Sequence, residues 1–263
     1  MKLKNILAFS FFAMAFAACE TVDEDERFIG PVDFEPKKNV LIEDFTGQRC
    51  INCPKAAEVV HQLQETYGKE HVIAVAIHGG SLSIPAPAGL ATEESKAYTE
   101  HWKVESWPKG LVNRNGGLDE YTSWTARTIA EFMQEAGADI QVKPRFDADK
   151  RELSLKTVVT SKVTAEGKLQ LWLVENNITG YQSMPDGSHN RNYVHNHVFR
   201  TAINDMLGEA ISLTAGEQKE YQHTYTLADA KWKAENMAVV AIVADASNQV
   251  LQVVETPLLP TQP

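Results

Sequence analysis

The hydrophobic positions between residues 39 and 78 change their period twice. Residues 40–45 are mostly apolar and suit a buried strand, and residues 50–67 then carry apolar side chains at helical spacing up to Gly68. Residues 72–77 form a continuous apolar run, which is typical of a strand buried on both faces of a parallel sheet. A strand, a helix and a second buried strand in this order predict a βαβ unit.

The pattern is less regular up to residue 138. The segment 78–105 begins as a loop rich in Gly, Ser and Pro and continues with helical spacing, so we interpret it as an insertion. Residues 110–112, followed by the turn signal at 115–117, predict a strand that enters a hairpin. A last helix is expected over residues 123–136.

Beyond residue 138 the hydrophobic period becomes two. Apolar and polar positions alternate in several segments, and two further apolar runs follow at 237–244 and 250–254. These patterns indicate six or more half-buried strands. The predicted fold class is therefore α/β plus all-β, in which residues 139–263 form an antiparallel, Ig-like β-sandwich.

The start of the chain has the pattern of an export signal. Two lysines precede a 13-residue apolar run, which is shorter than the ~20 residues of a membrane-spanning helix. We predict that residues 1–18 are a lipoprotein signal peptide and that Cys19, which follows two alanines, becomes the acylated N terminus and anchors the chain in a bilayer. In the alternative, an ordinary signal peptide is cut nearby and leaves a stray thiol. Residues 19–38 are acidic, contain prolines and predict a linker.

The net charge excludes one class of partner. The chain has 25 basic and 35 acidic residues, and residues 1–18 contain two of the basic ones, so the mature charge is 23 − 35 = −12. Such a chain is not expected to bind nucleic acid. The acidic run at 23–26 resembles a surface-export signal of Bacteroidota lipoproteins, and a solvated tether is the alternative interpretation.

The remaining cysteines, Cys50 and Cys53, stand at the predicted start of a helix. Unpaired amides and the positive end of the helix dipole stabilise a thiolate there. Cys50, preceded by Arg49, is expected to have a lowered pKa and to attack a disulfide, whereas Cys53 resolves the mixed disulfide. Half a zinc site is disfavoured because no second cysteine pair completes it, and a purely structural disulfide is disfavoured because it would close a very short loop.

The order of these features resembles the thioredoxin superfamily over residues 39–138. The strand, the Cys50-Ile51-Asn52-Cys53 motif and Trp107-Pro108 carry the resemblance. It implies a thioredoxin-like domain in which Pro108 follows a cis peptide bond and Trp107 and Pro108 border the substrate. It also implies that Asp44 is a buried carboxylate that assists proton transfer to Cys53, the alternative being an exposed acid at a strand end.

Three features depart from the superfamily's pattern. Arg49 stands where a tryptophan is common, and Trp107 stands where a smaller residue is usual, so Trp107 either shapes or obstructs the binding groove. The dipeptide Ile51-Asn52 matches neither reference reductants nor oxidants. Because this dipeptide tunes the redox potential, the direction of the reaction is left open.

The whole chain resembles a narrower family, the Bacteroidota outer-membrane lipoproteins of the twenty-eight-kilodalton family. The resemblance implies a lipid-anchored protein of the outer membrane with a thioredoxin-like domain followed by a β domain. It implies no particular substrate. The matching segments are the lipobox at Cys19, residues 47–54, Trp107-Pro108, and residues 112–114, 193–198 and 236–241.

Three histidines, His189, His195 and His197, lie close together in the sequence. His195 and His197 would share one face of a strand and could share a metal, but no nearby carboxylate pair completes a ligand set. We therefore assign no metal site and favour a structural or interface role for these histidines. No Gly-rich phosphate loop follows a strand, and we expect no cofactor.

Two functions fit these features. The first is a membrane-anchored, extracytoplasmic thiol-disulfide oxidoreductase that uses the cysteine pair on protein thiols and disulfides. The second is an outer-membrane surface lipoprotein that acts as a binding or structural module on a non-catalytic thioredoxin-like scaffold.

Overall fold

The computed structural model of the chain describes residues 35–260. The predicted signal peptide, the lipid site at Cys19 and the linker up to residue 34 lie outside the described residues. Within the described part, no helix is both long enough and apolar enough to cross a membrane.

The predicted βαβ unit is confirmed as strand β1 (Val40–Thr46), helix α1 (Cys53–Tyr67) and strand β2 (Val72–His78). The two strands pair in parallel along their whole length. Both are almost completely buried, which explains their continuous apolar sequence. Helix α1 packs on one face of this pair through buried side chains spaced by three or four residues, namely Ala56, Val60 and Leu63.

The next segment supplies two helices and one strand. Helix α2 (Glu93–His101) starts at a capping box in which Thr92 and Ser95 bond each other's backbone amides. Strand β3 (Lys109–Val112) pairs antiparallel with β1, and helix α3 (Trp124–Phe132) follows a short 3₁₀ turn. The chain turns back after β3 as predicted, but the returning segment pairs with β3 only through a single antiparallel bridge between Gly110 and Asp119.

The second half of the described chain contains no α-helix and is built from strands, as the period of two predicts. Their bounds are β4 (Ala138–Asp147), β5 (Glu152–Ser161), β6 (Ala165–Glu175), β7 (Ile178–Ser183), β8 (His189–His195), β9 (Val198–Ala202), β10 (Glu209–Leu213), β11 (Gln218–Thr226), β12 (Met237–Asp245) and β13 (Val250–Pro257).

These strands form three sheets. The main sheet has eight strands in the order β13-β12-β6-β9-β2-β1-β3, with β10 pairing the start of β6. A second sheet has the order β11-β5-β4, and β7 and β8 form a two-stranded hairpin. The strand β9 joins the two halves of the chain, because it pairs antiparallel with β6 and in parallel with β2.

The fold is therefore a β-rich mixed α/β arrangement, and the predicted Ig-like sandwich is not confirmed. Strands from both predicted domains share the main sheet, and its β6–β12 half packs against the three-stranded sheet. Periodicity within a strand identifies its buried face but not its neighbour, so the sequence could not show that β9 extends the βαβ sheet. The boundary between residues 138 and 139 stays a prediction.

Three hydrophobic clusters fill the spaces between these layers. The first lies between the three-stranded sheet and the β6–β12 half of the main sheet. The second covers the opposite face of the main sheet, where Trp172 and Phe199 pack edge to face with ring centroids 5.2 Å apart. The third lies between α1, α3 and strands β1 to β3. The second cluster contains β1, β2, β6, β9, β12 and β13, so it binds both halves of the chain together.

A buried ion pair crosses the second cluster. Arg114 donates from Nε and Nη2 to the two carboxylate oxygens of Glu43, each at 3.0 Å, and Tyr98 donates its hydroxyl to Glu43 Oε1 at 2.6 Å. Arg114 also donates to Gln170 Oε1 at 2.7 Å. Because Glu43 lies on β1 and Gln170 on β6, this network fixes the βαβ unit to the second half of the main sheet.

Candidate functional site

Cys50 and Cys53 form a disulfide at the N terminus of α1. The helix begins at Cys53, three residues later than the sequence predicts, so Cys50 precedes the first turn instead of lying on it. The Cys53 amide donates to Cys50 Sγ at 3.1 Å. A helix-terminal N–H therefore points directly at the sulfur of Cys50, which is the interaction that stabilises a thiolate.

The strand end beside this disulfide carries the predicted cis peptide bond between Trp107 and Pro108. Lys109 pairs with Phe45 in the β1–β3 register, so Pro108 is next to the last residue of β1. The Trp107 ring is half-buried and packs on Gly80, where an added Cβ would lie only 1.8 Å from the ring. Trp107 thus closes the gap between β3 and the inserted loop.

Asp44 is buried, as the resemblance implies. Its side chain lies on β1, it is 5% exposed, and its Oδ1 atom has no hydrogen-bond partner among the described residues. Burial raises the pKa of this carboxyl from 3.8 to about 8. Asp44 is therefore mostly protonated at neutral pH and can exchange a proton near that range.

The β7–β8 hairpin packs against the disulfide loop. Gln182 Nε2 donates to the Cys50 carbonyl at 2.9 Å, and the Ser183 amide donates to the Gln48 carbonyl at 2.8 Å. Gln48 in turn donates to the Tyr181 carbonyl at 3.3 Å. With the hairpin in place, Cys50 is only 3% exposed. The hairpin thus helps to shield Cys50 from solvent.

We expect that weakening the hairpin's contacts exposes Cys50. In a Cys53→Ser background, Gln182→Ala removes the bond to the Cys50 carbonyl, which is worth about 1 kcal/mol. Iodoacetamide should then alkylate Cys50 about fivefold faster, as followed by mass spectrometry of the cysteine peptide. Gln222→Ala on β11, where the side chain bonds only the neighbouring Glu220, is the matched control. Equal rates in the two variants would contradict shielding by the hairpin.

A cavity of about 510 Å³ lies on the Cys53 side of the disulfide. Cys53 lines this cavity, whereas Cys50 does not. Its wall contains both polar and apolar residues, which come from helix α1, strands β1, β2, β7, β8 and β13, and the turns near these strands. Its titratable residues are Asp44, Glu58, His61, Lys69, His78, Tyr193, His195, His197 and Glu255.

The structure places His195 and His197 in the wall of this cavity, and it adds His78, which the sequence analysis missed. The rings of His78 and His195 meet edge to face, with centroids 5.5 Å apart. Burial lowers the pKa values of His195 and His197 to about 4 and that of His78 well below 6.5. All three are neutral at pH 7, and the described residues contain no cluster of three or more ligands arranged for a metal.

His189 is not part of this cavity. It lies at the start of β8, where Nδ1 bonds the Tyr181 hydroxyl at 2.8 Å. Glu255 of β13 also lines the cavity, and burial raises its pKa to about 7. The sequence analysis missed His78 and Glu255 because both lie far from the motifs in the sequence. His78 directly follows the apolar run at 72–77, and Glu255 directly follows the run at 250–254.

The fold and the site define a class of protein: a β-rich mixed α/β fold with a disulfide at a helix N terminus, next to a buried carboxylate and a cis-proline strand. The sequence then identifies the family. Residues 95–262 match the model of the family described as Outer membrane protein Omp28, and the chain belongs to this family. The match covers more than half of the chain and places it at the outer membrane. It begins in α2, so it does not include the cysteine pair.

Solved structures show the same overall fold at low sequence identity. HBP35 of Porphyromonas gingivalis is 17% identical with a TM-score of 0.67, and the similarity covers 87% of this chain and 78% of that one. Protein AGR_C_4864 from Agrobacterium tumefaciens is 14% identical with a TM-score of 0.56, covering 87% of this chain and 98% of that one. No curated protein matches the sequence.

Proposed function

We propose that this outer membrane protein is a thiol-disulfide oxidoreductase, anchored by an acylated Cys19, that acts on protein thiols and disulfides outside the cytoplasm. The observation that carries the proposal is the 3.1 Å hydrogen bond from the Cys53 amide to Cys50 Sγ. This bond favours Cys50 as the thiolate that attacks a substrate and that leaves when the disulfide is reopened. In this proposal residues 39–138 act as a thioredoxin-like domain and the later strands as a β-sandwich.

Each site residue has a defined role in the proposed reaction. The Cys50 thiolate attacks a substrate disulfide, one substrate sulfur leaves as a thiolate, and Cys50 becomes part of a mixed disulfide. Cys53 then loses its proton to the ionised fraction of Asp44, attacks Cys50 Sγ and releases the second substrate sulfur. Asp44 suits this role because it is buried, lines the same cavity as Cys53 and has a pKa of about 8. Trp107 and Pro108 would border the substrate chain.

Trapping of the mixed disulfide tests this proposal. A Cys53→Ser variant expressed in the native host should accumulate partner proteins on Cys50, because the residue that resolves the intermediate is missing. The adducts should disappear on reduction, and non-reducing electrophoresis followed by mass spectrometry identifies them. The matched Cys50→Ser variant should trap at least tenfold less protein. If neither variant captured protein, the proposal that protein disulfides are the substrates would be contradicted.

The burial of the disulfide favours a second function, that of a binding or structural module whose cysteines take no part in catalysis. Cys50 and Cys53 are 3% and 2% exposed, and the β7–β8 hairpin is bonded to the disulfide loop. A protein whose cysteines stay oxidised would use this arrangement as a stable scaffold for binding. In that case neither trap would capture protein, and the disulfide would stay intact in protein taken directly from the cell surface.

A further inference from the structure

We propose that the Lys69 end of the cavity binds the carboxylate of a small monocarboxylic acid, whose apolar chain occupies the middle of the cavity. The carboxylate site consists of Lys69, Asn176, His197 and Glu255, all of which line the cavity. This site does not involve the cysteine pair. The inference therefore goes beyond the proposed function and does not depend on it.

Electrostatic and hydrogen-bond contacts show that these four residues lie together. Burial is the main cause of the lowered pKa of His197 and of the raised pKa of Glu255. In both cases the charge of Lys69 makes the next contribution and favours the lower value, so Lys69 is close enough to act on both side chains. Asn176 joins them because its Oδ1 atom accepts a hydrogen bond from the His197 amide at 2.8 Å. One cation and three hydrogen-bonding side chains therefore meet at this end of the cavity.

The described part of the chain leaves the donors of this site unused. Lys69 is exposed and forms no ion pair with a described residue. Because Oδ1 of Asn176 accepts the His197 amide, its Nδ2 hydrogens are left to donate, and His197 Nδ1 has no partner among the described residues. With a pKa of about 7, Glu255 is protonated in a large fraction of molecules at neutral pH and can donate as well. A negatively charged acceptor would satisfy these groups.

The charge of the site favours a carboxylate over a phosphate. Phosphate carries up to two negative charges, and its sites in proteins supply several cations or a helix N terminus. Lys69 is the single lysine or arginine among the described residues that line the cavity. A protonated Glu255 can donate to a carboxylate, whereas an ionised Glu255 would repel a dianion. A ligand with one negative charge therefore complements this site best.

Between its two ends the cavity is lined by small and apolar side chains. Ala57 and Val60 contribute from α1, Ala74 and Ala76 from β2, and Val194 from β8. Alternate residues of a strand point to the same face, so the two alanines of β2 together leave open space. An alkyl chain would bury apolar surface there. The whole cavity, about 510 Å³, falls in the range of small-molecule sites, ~300–1,000 Å³.

The length of α1 limits the length of the ligand. Val60 lies seven residues before Tyr67, the last residue of the helix, which corresponds to about 10 Å of helix rise. The Lys69 side chain bridges part of this distance, and an extended octanoate molecule bridges the rest. Cys53 lies a further seven residues along the helix, so an acid of this length does not need to approach the buried disulfide.

Binding of octanoate to the full-length protein tests the site, with saturation-transfer NMR titrations as the measurement. Octanol has the same chain without the charge and should bind about tenfold more weakly, because it lacks the charge-assisted hydrogen bonds. Lys69→Ala should weaken octanoate at least fivefold and leave octanol within twofold. Lys55→Ala removes an exposed lysine of α1 outside the cavity wall and is the matched control. Undetectable octanoate binding, or equal binding to the two variants, would overturn the proposal.

Substitutions of Glu255 test its role as a donor. Glu255→Gln keeps a hydrogen-bond donor and removes the ionised form, so it should bind octanoate at least as tightly as the wild type. Glu255→Leu removes the donor and should bind octanoate severalfold more weakly. Severalfold weaker binding by Glu255→Gln would contradict a protonated Glu255 in the site. Tighter binding of octyl phosphate than of octanoate by the wild type would overturn the assignment of a carboxylate.

The position of the alkyl chain is tested by filling the cavity. Ala57→Leu adds carbon atoms to the wall and should weaken octanoate and octanol alike, because both ligands place the same chain there. Ala130→Leu, on the exposed face of α3, is the matched control and should leave both affinities within twofold. Unchanged binding by Ala57→Leu would overturn the placement of the chain. Lys69 and Lys55 are exposed, so their variants test the site even if Ala57→Leu does not fold.

Discussion

Replacing Arg114 by leucine is expected to lower the free energy of unfolding by about 3–5 kcal/mol. Arg114 makes a two-pronged contact with Glu43, and both side chains are almost completely buried. Leucine would leave the Glu43 carboxylate buried without its counter-charge, and removal of one partner of a buried pair is strongly destabilising. Chemical denaturation of the oxidised protein, followed by circular dichroism, measures the change.

Two controls separate the loss of the charge pair from the loss of packing. Lys156→Leu removes the cation of an ion pair with Glu220 on the solvent side of the three-stranded sheet and should cost less than about 1 kcal/mol. The double variant Glu43→Gln/Arg114→Met has no buried charge and should recover at least half of the loss. If Arg114→Leu were as stable as the wild type, the network around Arg114 would not hold the two halves of the main sheet together.

Replacing Asp44 by asparagine is expected to stabilise the oxidised protein by about 2–4 kcal/mol at pH 7. In the folded protein the pKa of Asp44 is about 8, against an ordinary value of 3.8. Between these two values the unfolded chain ionises Asp44 while the folded chain keeps it protonated. Stability is therefore lost as the pH rises through this window, by up to about 1.4 kcal/mol per unit. Asparagine is neutral at every pH and does not incur this loss.

The pH profile distinguishes this mechanism from a general packing effect. The stability gain of Asp44→Asn should be small at pH 4, grow up to pH 8 and stay constant above it. Asp139→Asn, an exposed change on β4, should alter stability by less than about 0.5 kcal/mol at each pH. A gain that does not depend on pH would contradict a raised pKa. In the proposed reaction, the same variant should release substrate from Cys50 more slowly, because Cys53 would lose its proposed proton acceptor.

The βαβ unit could be predicted from the sequence because its signals are local. Residues 40–45 and 72–77 bury both faces of their strands, and α1 carries one apolar stripe that ends at Gly68. Apolar spacing predicts that α1 starts at Cys50, because the spacing carries no information about the disulfide. The bridge occupies the turn that a helix would otherwise use, and the first helical residue is Cys53.

The arrangement of the later strands could not be predicted in the same way. Alternation indicates that β5 and β11 are half-buried, but register and sheet membership depend on contacts distant in sequence. Glu43 pairs with Arg114, 71 residues away, and β9 reaches β2 through a single register position. An acidic residue inside an apolar strand signals a buried partner, but it does not identify which cation is the partner.

The candidate site was predicted in part. Asp44 is buried, and the peptide bond before Pro108 is cis, as the resemblance to thioredoxins implies. The roles of these residues in catalysis stay predictions. The β7–β8 hairpin and His78 were missed, because no local pattern links residues 178–195 to a motif 130 residues earlier in the chain. Only the folded chain brings Gln182 to the Cys50 carbonyl.

The shared main sheet sets a limit on protein engineering. A fragment that ends near residue 138 would uncover the edge of β2 and expose the side of the second cluster that Trp172 and Phe199 now cover. Such an uncovered, apolar edge is a template for aggregation. The unit that carries the cysteine pair therefore cannot be excised in the way a self-contained domain can, and a chimaera that keeps it has to retain β6, β9 and β12 as well.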